Sequence, residues 1–166
     1  MHDGTRESTN GTREERAKRF GPGPWLDEPD RIEWHHEGVP CLMVRQPRLG
    51  NWCGYVAVEP GHPWHGKEYD AVPADTHGGV TYAAACHGDV CHVPAPGEPD
   101  DVWWIGFDCA HHGDHSPGLM TALSGRVLPG TAYRDRHYVA SEVAELAEQV
   151  ARARSPPRSL GLVPGS

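Results

Sequence analysis

The chain has 166 residues, a net charge of −8 and five cysteines. That length suits one domain with tails, and the acidic balance excludes a broad nucleic-acid-binding surface. No apolar run reaches membrane-spanning length. The first residues lack the apolar segment of a signal peptide, so a cytoplasmic location is expected. In a reducing compartment an odd cysteine count points to packed thiols, ligands or a nucleophile rather than a disulfide framework. The 20 glycines and 16 prolines predict many turns and short elements.

Residues 1–24 are polar and end in Gly21-Pro-Gly-Pro24. Arg13-Glu-Glu-Arg-Ala-Lys-Arg19 can form a short helix but offers no apolar face, so residues 1–24 read as a flexible arm. A single domain is expected over 25–154. Residues 31–36 and 39–46 read as two strands of a hairpin turning at Glu37-Gly38. Residues 51–58 form a further strand, ended by Pro60-Gly-His-Pro63.

A polar loop with Trp64, His65, Lys67, Glu68, Tyr69 and Asp70 comes next. Thr76-His77 introduces a strand at 78–84. Residues 86–101 are a long Pro/Gly-rich connection into a strand at 102–108. Alternation there sets Trp103, Ile105 and Phe107 on one face and Val102, Trp104, Gly106 and Asp108 on the other. Two apolar faces indicate an interior strand, and Gly106 admits the close approach of another backbone or a ligand.

Residues 118–130 look irregular. One helix follows at about 137–152, with Val139, Val143, Leu146 and Val150 as its apolar stripe and Asp135 as its N-cap. Residues 155–166 read as a flexible tail ending in a cloning remnant, Leu162-Val-Pro-Gly-Ser166. The fold class is therefore α+β: a mainly antiparallel sheet, one C-terminal helix packed on it, and long Gly/Pro-rich loops.

Chemistry concentrates in Val102-Trp-Trp-Ile-Gly-Phe-Asp-Cys-Ala-His-His-Gly-Asp-His115. Eight of the twelve histidines lie between His62 and His115. Imidazole is the commonest metal ligand and carboxylates complete such sites. His77, Asp108, His111 and Asp114 are the best set. If the strand after His77 neighbours the strand ending at Asp108, the four converge and hold Zn²⁺ or another divalent transition metal that activates water. Glu68 or His65 would shuttle the proton. Trp64, Lys67, Tyr69 and Trp104 are candidate contacts for a small or nucleotide-like substrate.

Two further clusters compete. Cys86-His-Gly-Asp-Val-Cys-His92 can supply a structural zinc half-site through Cys86, Cys91 and His92, although no CxxC pair completes it. His77 before Cys109 gives a thiol-nucleophile reading. That order resembles the permuted papain-like acyltransferases and amidases. Their cysteine starts a helix, whereas Ala110-His-His-Gly-Asp-His-Ser-Pro117 reads as non-helical.

Trp52-Cys-Gly-Tyr-Val-Ala-Val58, Gly61-His-Pro63, His77-Gly-Gly-Val-Thr-Tyr82 and the Gly-Phe-Asp-Cys-Ala-His run at 106–111, with Gly113-Asp114, resemble a family of small proteins of actinobacteria and their phages. The resemblance covers roughly 35–150. It implies one domain and marks the same positions for attention, but the family has no assigned activity and transfers no catalytic roles. The expectation is a metal-dependent hydrolase. The alternatives are a Cys109/His77 thiol hydrolase or acyltransferase, and a non-catalytic, phage-related ligand- or partner-binding module using the Trp64–Asp70 loop. Oligomeric state leaves no trace in the sequence.

Overall fold

Six strand-forming runs pair, in the computed structural model, into one antiparallel sheet of order β1-β2-β3-β4-β6-β5. The structure describes residues 4–118 and 130–154. The strands are β1 (Arg6–Ser8), β2 (Arg31–His36), β3 (Val39–Arg45), β4 (Trp52–Val58), β5 (Tyr82–Ala85) and β6 (Trp103–Asp108). Among the helices that accompany them are α1 (Arg13–Phe20) and α2 (Arg136–Arg154). This is the α+β architecture expected, with α2 on one face of the sheet. The expected tail at 155–166 and most of the irregular segment at 118–130 lie outside the described residues.

The β2–β3 turn falls at Glu37-Gly38, with φ of 52° and 77°. Both values are left-handed, as a two-residue turn matching the sheet's twist requires. β6 lies between β4 and β5. Its alternation is as read: Ile105 and Phe107 pack into the helix-side core with Trp103 against it, while Val102 and Trp104 join Leu42, Tyr55 and Ala57 on the opposite face.

Helix α2 buries Val139, Val143, Leu146, Ala147 and Val150. Asp135 caps it, accepting the Tyr138 N–H at 2.9 Å. Gly54 of β4 sets how closely the helix sits, because a Cβ there would lie 2.5 Å from Val143 Cγ2. Gly106 admits another backbone rather than a ligand, since a Cβ there would lie 2.4 Å from Gly54 O. The Tyr55 ring occupies the space above it, 2.3 Å from where a Cβ would stand.

Three expectations need correction. Residues 6–20 are not a loose arm. Strand β1 extends the sheet beside β2, and α1 opens with a capping box between Thr12 and Glu15. Its anchor is ionic rather than an apolar stripe. Arg16 is buried and donates to Asp30 at 2.6 Å, and Phe20 is buried against Gly50. Asp30 also accepts from Arg45 Nε at 2.8 Å, and Arg45 Nη2 reaches Glu28 at 3.1 Å. Glu28 takes further bonds from Trp52 Nε1 and the Arg136 N–H. One buried charge cluster therefore joins the N-terminal segment, the sheet and the start of α2.

The second correction concerns β5, which begins at Tyr82 rather than at residue 78. Gly78 and Gly79 have φ of 69° and 90°, and the Gly79 N–H bonds back to Thr76 O at 3.0 Å. That is a turn, and His77 sits in it.

The third concerns Cys86 and Cys91, which form a disulfide with Cα atoms 4.7 Å apart. Neither thiolate is then free for zinc, so Cys86, Cys91 and His92 do not make a metal half-site. The bond staples a short β-bridged loop, His87 to Val90, whose backbone carbonyl at Asp89 accepts from Arg31 at 2.6 Å. His92 instead packs edge-on against Trp104, with ring centroids 5.2 Å apart.

Candidate metal centre

The antiparallel pairing of β5 with β6 sets Tyr82 opposite Gly106, and the Thr81 N–H bonds Gly106 O at 2.9 Å. The chain just before β5 is thus carried to the Asp108 end of β6. The Gly78-Gly79 turn then aims His77 at the loop after β6. The expected convergence occurs, through a turn rather than a strand.

At the centre is Asp114, whose carboxylate is almost fully buried. Its Oδ2 lies 2.8 Å from His77 Nε2 and accepts the His111 backbone N–H at 3.0 Å. Its Oδ1 accepts from Arg134 Nε at 2.9 Å. Burial pushes this carboxyl's pKa up, but the bonds from His77, Arg134 and His111 outweigh burial and hold it below the usual carboxylate range. On its far side, His77 Nδ1 lies 2.7 Å from the Tyr138 hydroxyl in the first turn of α2.

His111 closes the group. Its ring stands edge-on to that of His77, with centroids 5.8 Å apart. Its Nδ1 faces two carboxylates, Asp108 Oδ1 at 3.2 Å and Asp114 Oδ2 at 3.7 Å. This nitrogen is buried and makes no hydrogen bond. Ligand atoms of His77, His111 and Asp114 all lie within 4.8 Å of one another. Asp108 stands at the rim, more exposed, with Oδ1 accepting the Ala110 N–H at 3.1 Å. Two imidazoles and a carboxylate are a donor set for Zn²⁺ or a similar borderline ion.

The other candidates lie elsewhere. His65 Nε2 is 2.8 Å from Asp101 O, and Trp103 Nε1 donates to Lys67 O at 3.0 Å. Both contacts hold the 62–70 loop at the Trp103 end of β6. Asp108 is at the other end, about 17 Å away at the usual rise per residue. His65 and Glu68 therefore do not serve this centre as proton shuttles, and Lys67 and Tyr69 do not face it. Trp64 is buried in the helix-side core, and Trp104 is fully buried on the opposite face. Neither offers a ring to a substrate in this arrangement.

Cys109 points into the helix-side core and is 1% exposed. Burial, reinforced by the nearby Asp114 and Asp108, pushes its thiol pKa far up. Both nitrogens of His77 are engaged by Tyr138 and Asp114. The thiol thus lacks both an activating imidazole and the electropositive setting a reactive thiolate needs.

Arg134 and Tyr138 belong to the centre and escaped the sequence reading. Tyr138 lies 61 residues from its partner His77, and no spacing rule links them. No family model, curated protein or solved structure matches the chain.

Proposed function

We propose that His77, His111 and Asp114 bind a divalent transition metal, zinc by the character of the donor set, and that the protein is a metal-dependent hydrolase of a small or nucleotide-like substrate. The observation that carries this reading is His111 Nδ1, a buried nitrogen without a hydrogen bond that faces carboxylates at 3.2 and 3.7 Å. A buried ring nitrogen without a hydrogen bond is costly unless something pairs with it. A cation held between it, Asp114 and His77 Nε2 would meet all three.

His77 suits such a role through its other nitrogen. With Nδ1 protonated and donating to the Tyr138 hydroxyl, Nε2 would offer a lone pair to the ion in place of a proton to Asp114. Such an ion would supply Lewis acidity and lower the pKa of bound water. Asp108, the more exposed carboxylate beside His111, would serve as the base for that water. This gives Asp108, expected among the metal ligands, a base role in place of His65 and Glu68.

A second reading has its own observation. The chain Asp114–His77–Tyr138 is already continuous, with contacts of 2.8 and 2.7 Å. Such a chain can act as a metal-free acid–base relay. Elemental analysis separates the two, using protein purified without a metal column before and after zinc reconstitution. Near-stoichiometric zinc in the wild type, lost in His111→Ala and Asp114→Asn, supports the metalloenzyme. No bound metal in reconstituted, folded wild type rejects it and leaves the relay.

A further inference from the structure

Arg134 sits beside this centre with its binding capacity mostly unspent. Its Nε donates to Asp114 Oδ1 at 2.9 Å, and its guanidinium lies over the Tyr138 ring, 4.9 Å from the centroid. The side chain is about one-third exposed. Among the described residues none accepts a hydrogen bond from its two terminal amino groups. An arginine serving only as a strut for a carboxylate commonly engages it with two parallel bonds. Here Nε holds Asp114, the carboxylate that also meets His77 Nε2 and the His111 N–H, and the terminal amino groups stay unspent on a partly exposed side chain.

Charge makes the arrangement conditional. With both imidazoles neutral, Asp108 and Asp114 would outweigh the single guanidinium, and the metal-free centre would carry a net negative charge that repels anions. A divalent cation would reverse that sign. The loaded centre would then offer an ion and the amino groups of an arginine, both adjoining Asp114. A phosphoryl group can use all of these together. Its three non-bridging oxygens allow one to meet the ion while two meet the fork, whereas a carboxylate has only two oxygens to share.

We propose that the substrate is a phosphoester whose phosphoryl group is recognised jointly by the metal ion and Arg134. This rests on the metal reading given above. The overall reaction is hydrolysis: a water oxygen forms a new bond to phosphorus and the P–O ester bond breaks. One proton of the water passes to Asp108, which returns it to solvent, and the leaving oxygen takes up one proton from solvent and departs as an alcohol, so ester and water become phosphate and alcohol. Arg134 binds and orients the phosphoryl group and takes no proton.

The proposal makes anion binding metal-dependent, and linkage makes the dependence reciprocal. Calorimetric titration of the full chain with inorganic phosphate tests it. Four samples suffice: wild type with and without zinc, and zinc-loaded Arg134→Gln and Arg134→Lys, with acetate as the comparison anion. Zinc-loaded wild type should bind phosphate, and zinc-free wild type should bind it at least tenfold more weakly. Arg134→Gln should weaken binding at least tenfold while keeping its zinc. Arg134→Lys, which keeps the charge and loses the fork, should fall between. Unchanged phosphate affinity in zinc-loaded Arg134→Gln and Arg134→Lys would overturn the proposal and leave the metal centre standing. So would acetate binding as tightly as phosphate, which would point to a carboxylate substrate. Failure of wild type to take up zinc would overturn both readings.

Discussion

The imidazole of His111 fills the space where a side chain on Gly78 would begin: a Cβ there would lie 2.4 Å from His111 Cε1 and 2.5 Å from Nδ1. Gly78 also has a φ of 69°, in the region that L side chains rarely adopt. Gly78→Ala should therefore act on the candidate centre more than on the core. The added methyl displaces His111 from Asp108 and Asp114, and backbone strain adds about 1–3 kcal/mol. We expect zinc affinity to fall at least tenfold with the sheet intact. Metal titration beside far-ultraviolet circular dichroism would check it. Unchanged zinc affinity in a folded variant would count against His111 as a ligand.

The buried charge cluster at Arg45 should dominate stability. Arg45 is almost fully enclosed. It bonds Asp30, Glu28, the Gly50 and Pro29 carbonyls and the Tyr133 hydroxyl, and its guanidinium lies 4.4 Å from the Trp52 ring centroid. Arg45→Met leaves the buried Glu28 without its cation and Asp30 with Arg16 alone. Breaking such a set costs about 3–5 kcal/mol, which in a domain of this size lowers Tm by roughly 10 °C. The expected thermal melt is one cooperative transition at lower temperature. A Tm within 2 °C of wild type would mean that water already shares these charges.

These two residues show what the sequence made legible and what it did not. The helix stripe, its Asp135 cap, the hairpin at Glu37-Gly38 and the two faces of β6 are periodic or local signals, and they read correctly. The convergence of His77 with Asp114 was also readable, because strand adjacency carries one loop to another. The Arg16–Asp30–Arg45–Glu28 cluster was not. Ion pairs between segments have no period, and a charged helix without an apolar face looked like an arm. Tyr138 and Arg134 were hidden for a similar reason. Their partners His77 and Asp114 lie 61 and 20 residues away, joined by folding alone.

Thiol reagents should distinguish the cysteine classes. Cys86 and Cys91 are paired, while Cys41, Cys53 and Cys109 are free. Burial pushes the Cys41 and Cys53 thiols up to about 12, and Cys109 is raised as well. Thiolate fractions at neutral pH are then minute. Iodoacetamide should label native protein slowly at all three positions, as read by mass spectrometry, and should label three thiols after unfolding without reductant. Rapid native labelling of Cys109 would revive it as a nucleophile. Five labelled thiols on unfolding would mean that the Cys86–Cys91 bond is absent in solution.

His62 gives the pH dependence a definite sign. Its Nδ1 accepts the Trp64 N–H at 3.0 Å, and its Nε2–H donates to Val150 O at 3.0 Å, which locks the neutral ring between the 59–65 loop and the end of α2. Burial pushes its pKa below the ordinary 6.5, against the pull of the Val150 carbonyl and Glu59; Arg154 and His65 push the same way as burial. His92 and His115 are also lowered, chiefly by burial. Below about pH 6.5 the unfolded chain binds protons that these folded residues refuse, so folding stability must fall as pH drops. Above neutrality the same groups are uncharged in both states and contribute no slope. His62→Gln keeps a donor toward Val150 but removes the titrating ring. It should be less stable than wild type at pH 7.5, by about 1–3 kcal/mol for the disturbed buried bonds, and should lose less stability between pH 7 and pH 5. Urea unfolding across that range reads both quantities, and parallel pH profiles for the two proteins would show that His62 is protonated as readily in the fold as outside it.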